Sequence, residues 1–301
     1  MEEKRLHKYT VEFPIDVWKI LQEKRGSGSI KDFLVYLIEK EFSLRKVKAF
    51  ILAGGEGARL KPLTESIPKA MIPVGYKPLL EYNLHLLMKN GITDVNLLVG
   101  KLGDRIMQYF GQKWTDITLN YVVEQSMLDT AGALYNARNL INETFLVMNA
   151  DILTNIRISE LIDFHKQNKK DFVGTVAGIN LVDYQQKMNS KTKNKAVFND
   201  FGVFQISNNK QTRILKYEER PAKGMQNGYI DAGIYIFEPE IIDCLHESEG
   251  KSLSKDIFPQ LIKENKLQLY PCKQNIHWID VAHPIRWSIA WELLISGAIE
   301  I

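Results

Sequence analysis

The 301 residues carry 39 Lys+Arg against 36 Asp+Glu, a formal charge of +3, and 45% of them are hydrophobic. These proportions exclude wholesale disorder and a polybasic coat for nucleic acid or membrane, while leaving room for a local basic site. The length suits one large domain with an appendage, or two domains. Met1-Glu2-Glu3-Lys4-Arg5 leads into no apolar core of signal-peptide length, and no apolar run is long enough for a bilayer. Cys244 and Cys272 are isolated and form no CxxC pair. A cytoplasmic chain with two free thiols and no membrane contact is expected.

Residues 1–46 read as a separate unit. Lys8-Tyr9-Thr10-Val11-Glu12-Phe13 alternates polar and apolar, the two-residue period of a half-buried strand, and Pro14 ends it. Ile15, Val17, Ile20 and Leu21 recur at helical spacing up to Gly26. Ser27-Gly28-Ser29 is a turn, and Asp32 three residues after Ser29 suggests a capping-box-like start to a second helix. That helix would carry Ile30, Phe33, Leu34, Leu37, Ile38 and Phe42 on one face. The order of strand, helix, turn and helix resembles the ribbon-helix-helix family of DNA-binding dimers. The resemblance implies that two chains pair their strands, with Lys8, Thr10 and Glu12 facing outward toward the major groove. A unit this short cannot bury an adequate core alone, so a partner chain is needed. Glu12 would sit beside phosphates, and ten Lys/Arg against eight Asp/Glu leave the segment only weakly basic. An arm that joins subunits of a homo-oligomer is therefore favoured over one that reads DNA.

Residues 47–301 alternate strand and helix signals. Val47–Leu52 is a short apolar run ending in glycines, a buried strand. A helix from Pro78 to Asn90 is closed by Gly91, and a strand at Val95–Val99 precedes a helix from Asp104 to Phe110 closed by Gly111. A strand at Ile117–Val123, a helix from Ala131 to Leu140 and a strand at Phe145–Met148 follow. This alternation predicts a mainly parallel sheet with helices on both faces, whose ligands sit beyond the carboxyl ends of the strands.

The strongest chemical signal is Leu52-Ala53-Gly54-Gly55-Glu56-Gly57-Ala58-Arg59-Leu60-Lys61-Pro62-Leu63-Thr64, directly after the first strand. Glycines at this density let the backbone approach a ligand and aim its amides at anionic oxygens. The spacing fits neither the P-loop nor the GxGxxG dinucleotide fingerprint. Arg59 just beyond the loop and Lys69 ten residues later suit a polyphosphate.

This loop resembles the signature of the sugar-1-phosphate nucleotidyltransferases, the NDP-sugar pyrophosphorylases. Ile67-Pro68-Lys69-Ala70-Met71-Ile72-Pro73-Val74 and Lys77–Tyr82 continue the likeness. Gln125–Leu134, Asn149-Ala150-Asp151, Glu219-Arg220-Pro221, Asp231-Ala232-Gly233-Ile234-Tyr235 and Trp278-Ile279-Asp280-Val281 then fall in the family's order. The resemblance covers roughly residues 48–290. It implies a Rossmann-like, glycosyltransferase-A-like α/β domain with a mixed, mainly parallel sheet, preceded here by the small βαα segment.

By this resemblance the chain joins a nucleoside triphosphate and a sugar 1-phosphate into a nucleotide sugar, releasing pyrophosphate, with Mg²⁺ as cofactor. Leu52, Ala53, Gly54 and Gly55 would contact the nucleotide, and Gln125, Thr130 and Gly132 its base. Arg59 would stabilise the pyrophosphate and Lys69 the reacting phosphates. Asp151 and Asp280 would hold the metal, and Asn149, Gly202, Glu219, Arg220 and Asp231 the sugar phosphate. Read singly, Asp151 is equally a turn residue, Asp280 a surface carboxylate and Thr130 a helix N-cap. Several positions depart from the family pattern: Arg220 replaces a lysine, Asp231 stands where an asparagine is common, Ala150 replaces the more usual glycine before Asp151, and His283 follows Val281-Ala282 where glycine and a small polar residue are commoner. A carboxylate accepts hydrogen bonds without donating, which bears on sugar choice. The loop form and Leu128-Asp129-Thr130-Ala131-Gly132 lean toward the mannose-1-phosphate guanylyltransferase branch. Glucose-1-phosphate thymidylyl- or uridylyltransfer is the enzymatic alternative, and a DNA-binding regulator that senses a nucleotide sugar is the alternative of another class.

Overall fold

The computed structural model describes residues 10–24, 29–31, 33–34, 47–191, 200–207, 210–220, 227–245 and 251–299. The chain divides into two compact units, Met1–Arg45 and Lys46–Ile301.

In the first unit a helix spans Ile15–Lys24. It starts just after Pro14, whose carbonyl accepts the Trp18 amide at 2.9 Å. Ile15, Val17, Trp18 and Ile20 are exposed on it, and Leu21 is buried. Thr10–Phe13 join no ladder, so the expected strand is absent from its described part. Among the described residues no strand lies beside these four to take their backbone groups, and a ribbon of the expected kind would need a second chain. Ile30, Lys31, Phe33 and Leu34 are helical, with the Phe33 amide on the Ser29 carbonyl at 3.0 Å. Lys8, Tyr9, Gly26, Asp32, Leu37, Ile38 and Phe42 lie outside the described residues.

The strands of the second unit are β1 (Lys48–Ala53), β2 (Pro73–Val74), β3 (Lys77–Pro78), β4 (Asp94–Val99), β5 (Lys113–Trp114), β6 (Ile117–Val123) and β7 (Phe145–Asn149). They continue as β8 (Ile152–Thr154), β9 (Gly174–Asn180), β10 (Gly202–Ser207), β11 (Lys210–Glu219), β12 (Tyr229–Phe237), β13 (Leu267–Pro271) and β14 (Trp278–Asp280). Ten of them form one sheet in the order β10-β11-β13-β9-β12-β7-β1-β4-β6-β5.

Parallel pairing holds across β7-β1-β4-β6 and between β13 and β9. It does not extend to the rest of the sheet. Strand β12 runs antiparallel to both β7 and β9, and β10 pairs antiparallel with β11, as β5 does with β6. In each of the last two pairs the strands are separated by only two residues, too few for the crossover that parallel strands require.

Alternation along the strands sends side chains to two cores. Ala49, Ile51, Val95, Leu97 and Val99 belong to one, with Leu79, Leu80, Leu84 and Leu87 of the Leu79–Lys89 helix. Phe50, Leu98, Phe145 and Val147 belong to the other, with Ala133 and Leu134 of the Asp129–Asn136 helix and Phe258 of the Phe258–Lys263 helix. Both faces of the sheet are thus covered, which is why its central strands read as unbroken apolar runs. Gly91 and Gly111 take positive φ, 75° and 65°, just past the helices they were expected to close. The helix expected over Ala131–Leu140 instead starts at Asp129, ends at Asn136 and is followed by a separate 3₁₀ turn at Arg138–Leu140.

Strands β8 and β14 stand apart as a two-stranded antiparallel ladder, with Asp280 opposite Ile152 and Trp278 opposite Thr154. The Trp278 indole donates to the Ala232 carbonyl at 2.9 Å, tying this ladder to β12. Cys244 and Cys272 are free thiols, and burial pushes the Cys272 thiol up to about 12. No helix among the described residues is long and apolar enough to cross a membrane.

Candidate active site

Strands β1, β4 and β7 end together, with Ala53 opposite Val99 and Leu52 opposite Asn149. The glycine loop leaves from this edge. A Cβ on Gly100 would lie 2.8 Å from the Gly54 carbonyl oxygen, so the ends of β1 and β4 can approach only as glycines. Gly57 has φ +64°, and a Cβ there would sit 2.8 Å from Thr64 Cγ2 and 3.2 Å from Lys69 Cβ. The turn is closed by the Thr64 hydroxyl, which donates to the Gly57 carbonyl at 2.9 Å. Around Gly55 no atom lies within 4 Å of a Cβ, leaving its backbone open to a ligand.

A cavity of about 310 Å³ lies in front of this loop, lined by Leu52, Ala53, Gly54, Gly55, Lys69, Glu124, Met127, Asp129, Thr130, Asn149 and Asp151 among others. A second cavity of about 170 Å³ shares Thr130, Asn149 and Asp151 with it and adds Asp200, Gly202, Tyr217, Glu219, Asp231, Tyr235, Trp278 and Asp280. The two volumes meet at Asp151.

Asp151 is held by its own backbone environment. The Ala150 amide donates to the Leu52 carbonyl at 3.2 Å, and buried Asn83 Nδ2 donates to the Ala150 carbonyl at 2.9 Å. The Val281 amide donates to the Asp151 carbonyl at 2.7 Å, which sets Asp280 beside Asp151. The Lys69 ammonium pairs with the Asp151 carboxylate. Asp280 Oδ1 accepts the Ala282 amide at 2.7 Å and faces Arg286 Nη2 at 3.3 Å. Burial, and next the Asp151 carboxylate, raise the Asp280 pKa above the ordinary carboxylate range, against the pull of Arg286 and Lys69.

Two neighbouring carboxylates of which one resists ionisation form a donor pair that a hard divalent cation would relieve. Among the described residues no third His, Cys, Asp or Glu completes a cluster with them. A cation held there would complete its shell with substrate oxygens and water.

On the second cavity's wall, Asp231 accepts the Gly233 amide at 2.9 Å and the Tyr235 hydroxyl at 3.0 Å. Its pKa is nonetheless pushed up to about 7, chiefly by burial and further by Glu219. Glu219 accepts the Tyr217 hydroxyl at 2.5 Å. Gly233, φ +69°, lets Asn149 approach, since a Cβ there would stand 2.7 Å from the Asn149 amide nitrogen.

Lys69, Asp151, Asp280, Leu52, Ala53, Gly54, Gly55, Thr130, Asn149, Gly202, Glu219 and Asp231 therefore line the joined cavities. Four expected residues do not. Gln125 is exposed and lines neither cavity; its neighbour Glu124 does, lying against Gly54, with its pKa raised by burial. Gly132 is buried inside the helix and lines neither cavity. Arg59 and Arg220 are both drawn to Asp200. Thr130 is not the N-cap: it lies in the helix's first turn, and its hydroxyl accepts the Leu253 amide at 2.8 Å. That bond and the one from the Ala131 amide to the Lys251 carbonyl, 3.0 Å, stitch this wall to residues 251–253.

Glu124, Asp200, Tyr235 and Arg286 were not singled out from the sequence. The signal for Arg286 was an arginine inside the mostly apolar helix Pro284–Ile295.

Residues 48–285 match the family model described as nucleotidyl transferase. The chain belongs to this family. Over 250 residues the transferase domain is 30% identical to a UTP–glucose-1-phosphate uridylyltransferase of Synechocystis sp., covering 78% of this chain and 60% of that protein. It is 31% identical over 243 residues to the mannose-1-phosphate guanyltransferase beta-A of Xenopus laevis, covering 79% and 62%. The chain thus spans about 60% of the length of these curated relatives. HddC from Yersinia pseudotuberculosis, solved with GMP-PN, shares the fold at a TM-score of 0.66 and 22% identity, covering 82% of this chain and 99% of that one. The nucleotidyl transferase match begins after residues 1–46.

Proposed function

We propose that the transferase domain moves a nucleotidyl group from a nucleoside triphosphate to a sugar 1-phosphate, giving a nucleotide sugar and pyrophosphate. The observation that carries this reading is the placement of Asp151 at the junction of two cavities, with Asp280 and Lys69 beside it. One cavity, edged by the glycine loop, suits the nucleotide. The other, rimmed by Glu219, Asp231 and Asn149, suits a polyhydroxylated ring.

A sugar phosphate oxygen attacking the α-phosphorus in line is already anionic, so no general base is required. The protein's task is to align two anions and counter their repulsion. The open backbone at Gly55 approaches the triphosphate. Lys69 supplies fixed positive charge at the junction. Asp231 and Glu219 accept hydrogen bonds from sugar hydroxyls, and Asp231 in its protonated form also donates one. Mg²⁺ on Asp151 and Asp280 would supply charge neutralisation of the phosphates.

The relatives point to both guanine and uracil nucleotides, so GTP with mannose 1-phosphate is the first pair to test and UTP or dTTP with glucose 1-phosphate the second. A screen of nucleoside triphosphates against sugar 1-phosphates in Mg²⁺, read by pyrophosphate release, is expected to select one pair. No release with any pair overturns the assignment.

For residues 1–46 the proposal is an arm that joins copies of the chain. It is supported by Ile15, Trp18 and Ile20, apolar side chains 77%, 41% and 55% exposed on one short helix. Deleting residues 1–46 is expected to lower the solution mass measured by light scattering while activity per site persists. An unchanged mass would refute the arm's role.

A further inference from the structure

Asp200 collects three arginines. Its Oδ2 pairs with Arg59 Nη1 and lies 3.6 Å from Arg286 Nη2; its Oδ1 accepts Arg220 Nε at 3.0 Å. The three cations differ in kind. Arg286 is a fixture: its side chain is 1% exposed, it also faces Asp280 at 3.3 Å, and its guanidinium lies over the Phe201 ring at 4.7 Å. Arg59 and Arg220 are 41% and 53% exposed and have no other carboxylate partner among the described residues. Neither lines either of the joined cavities, although Asp200 does.

A carboxylate that gathers two exposed guanidiniums has the recognition chemistry of a phosphate group. We propose that Asp200 is an internal stand-in for substrate phosphate, holding Arg59 and Arg220 together until a phosphate group displaces it. This rests on the reading of the joined cavities as a site for phosphorylated substrates. Exposed ion pairs are weak, so the exchange needs little driving force. A phosphate dianion brings more charge and more acceptor oxygens than one carboxylate. Asp200 does not become an unpaired charge on displacement, because Arg286 stays beside it. The device keeps two exposed cations near a phosphate's place, at the cost of competition with the ligand.

The test is binding of inorganic pyrophosphate to the full chain, by calorimetry, for the wild type, Asp200→Asn and Asp200→Ala. Asparagine keeps the shape and removes the charge; alanine removes both. Affinity is expected to rise about 3-fold or more in each at low salt, with the gain shrinking as ionic strength rises. Equal or weaker binding in folded variants overturns the proposal, because a carboxylate that merely braced the arginines would lose affinity when removed. The two readings fail separately. A wild type that releases pyrophosphate from no substrate pair, but whose variants still bind pyrophosphate more tightly, loses the transferase assignment and keeps the stand-in. Turnover without the affinity gain does the reverse.

Discussion

Asp280→Asn should abolish turnover, by about three orders of magnitude or more, while leaving the fold at least as stable as before. The amide retains an oxygen for the Ala282 N–H, the 2.7 Å contact that holds the residue in place. It loses the negative charge that burial and Asp151 already disfavour. Arg286 keeps Asp200 as a partner. Asp151→Ala should be equally inactive but differ in stability, since it strips the half-buried Lys69 of its ion pair. A loss of about 1 kcal/mol is expected there. Steady-state rates with saturating Mg²⁺ and thermal melts of both variants check the pair of outcomes. Near-normal rates in either would remove that residue from the metal assignment, and a melt that collapses for Asp280→Asn would contradict the repulsion described for it.

The second large effect concerns Asp231. Its pKa stands at about 7 in the fold against an ordinary value of 3.8. Between those pH values the folded chain holds a proton that the unfolded chain has released. The stabilisation from this group is complete below the lower value, falls as pH rises toward the upper one, and is constant beyond it. The full shift would correspond to about 4 kcal/mol, and because Asp231 is only half-buried a realistic figure is about 2 kcal/mol. Asp231→Asn cannot ionise. Its stability relative to wild type should therefore rise from pH 5 to pH 8 by roughly that amount, measured from denaturant midpoints. A pH-independent difference would show that the raised proton affinity is absent. The asparagine amide donates as a protonated carboxyl does, so the pH dependence of sugar-phosphate affinity should also flatten.

Local features of the chain were legible because local physics makes them. The buried strand at residue 48 shows as an apolar run cut by glycines. The Leu79–Lys89 and Gly103–Phe110 helices show as recurring apolar positions stopped by glycine. Asp151 and Asp280 are unremarkable singly and gained meaning only from the order of the motifs around them. Gln125 and Glu124 mark the limit of such reading. Both lie just past β6, which ends at Val123, where the chain bends and no strand or helix period says which of two successive side chains faces the cavity. Asp200 with Arg59 was out of reach, since the partners are 141 residues apart and an isolated acidic residue carries no periodic signal. The antiparallel course of β12 was hidden for a similar reason: alternation of strands and helices says nothing about which neighbour a strand chooses.

The separation of β8 from β14 along the chain has a kinetic consequence. Residues 152–154 pair with residues 278–280, far later in sequence, whereas β1 pairs with β4, and β4 with β6, over much shorter separations. Closing the longer loop costs more chain entropy and waits on more of the structure. The helices and the β1-β4-β6 part of the sheet can form while the two carboxylates are still apart. Juxtaposition of Asp151 and Asp280, the pair proposed to hold the metal, would then lag behind recovery of secondary structure, and a chain that reads as folded by its backbone could still lack a site.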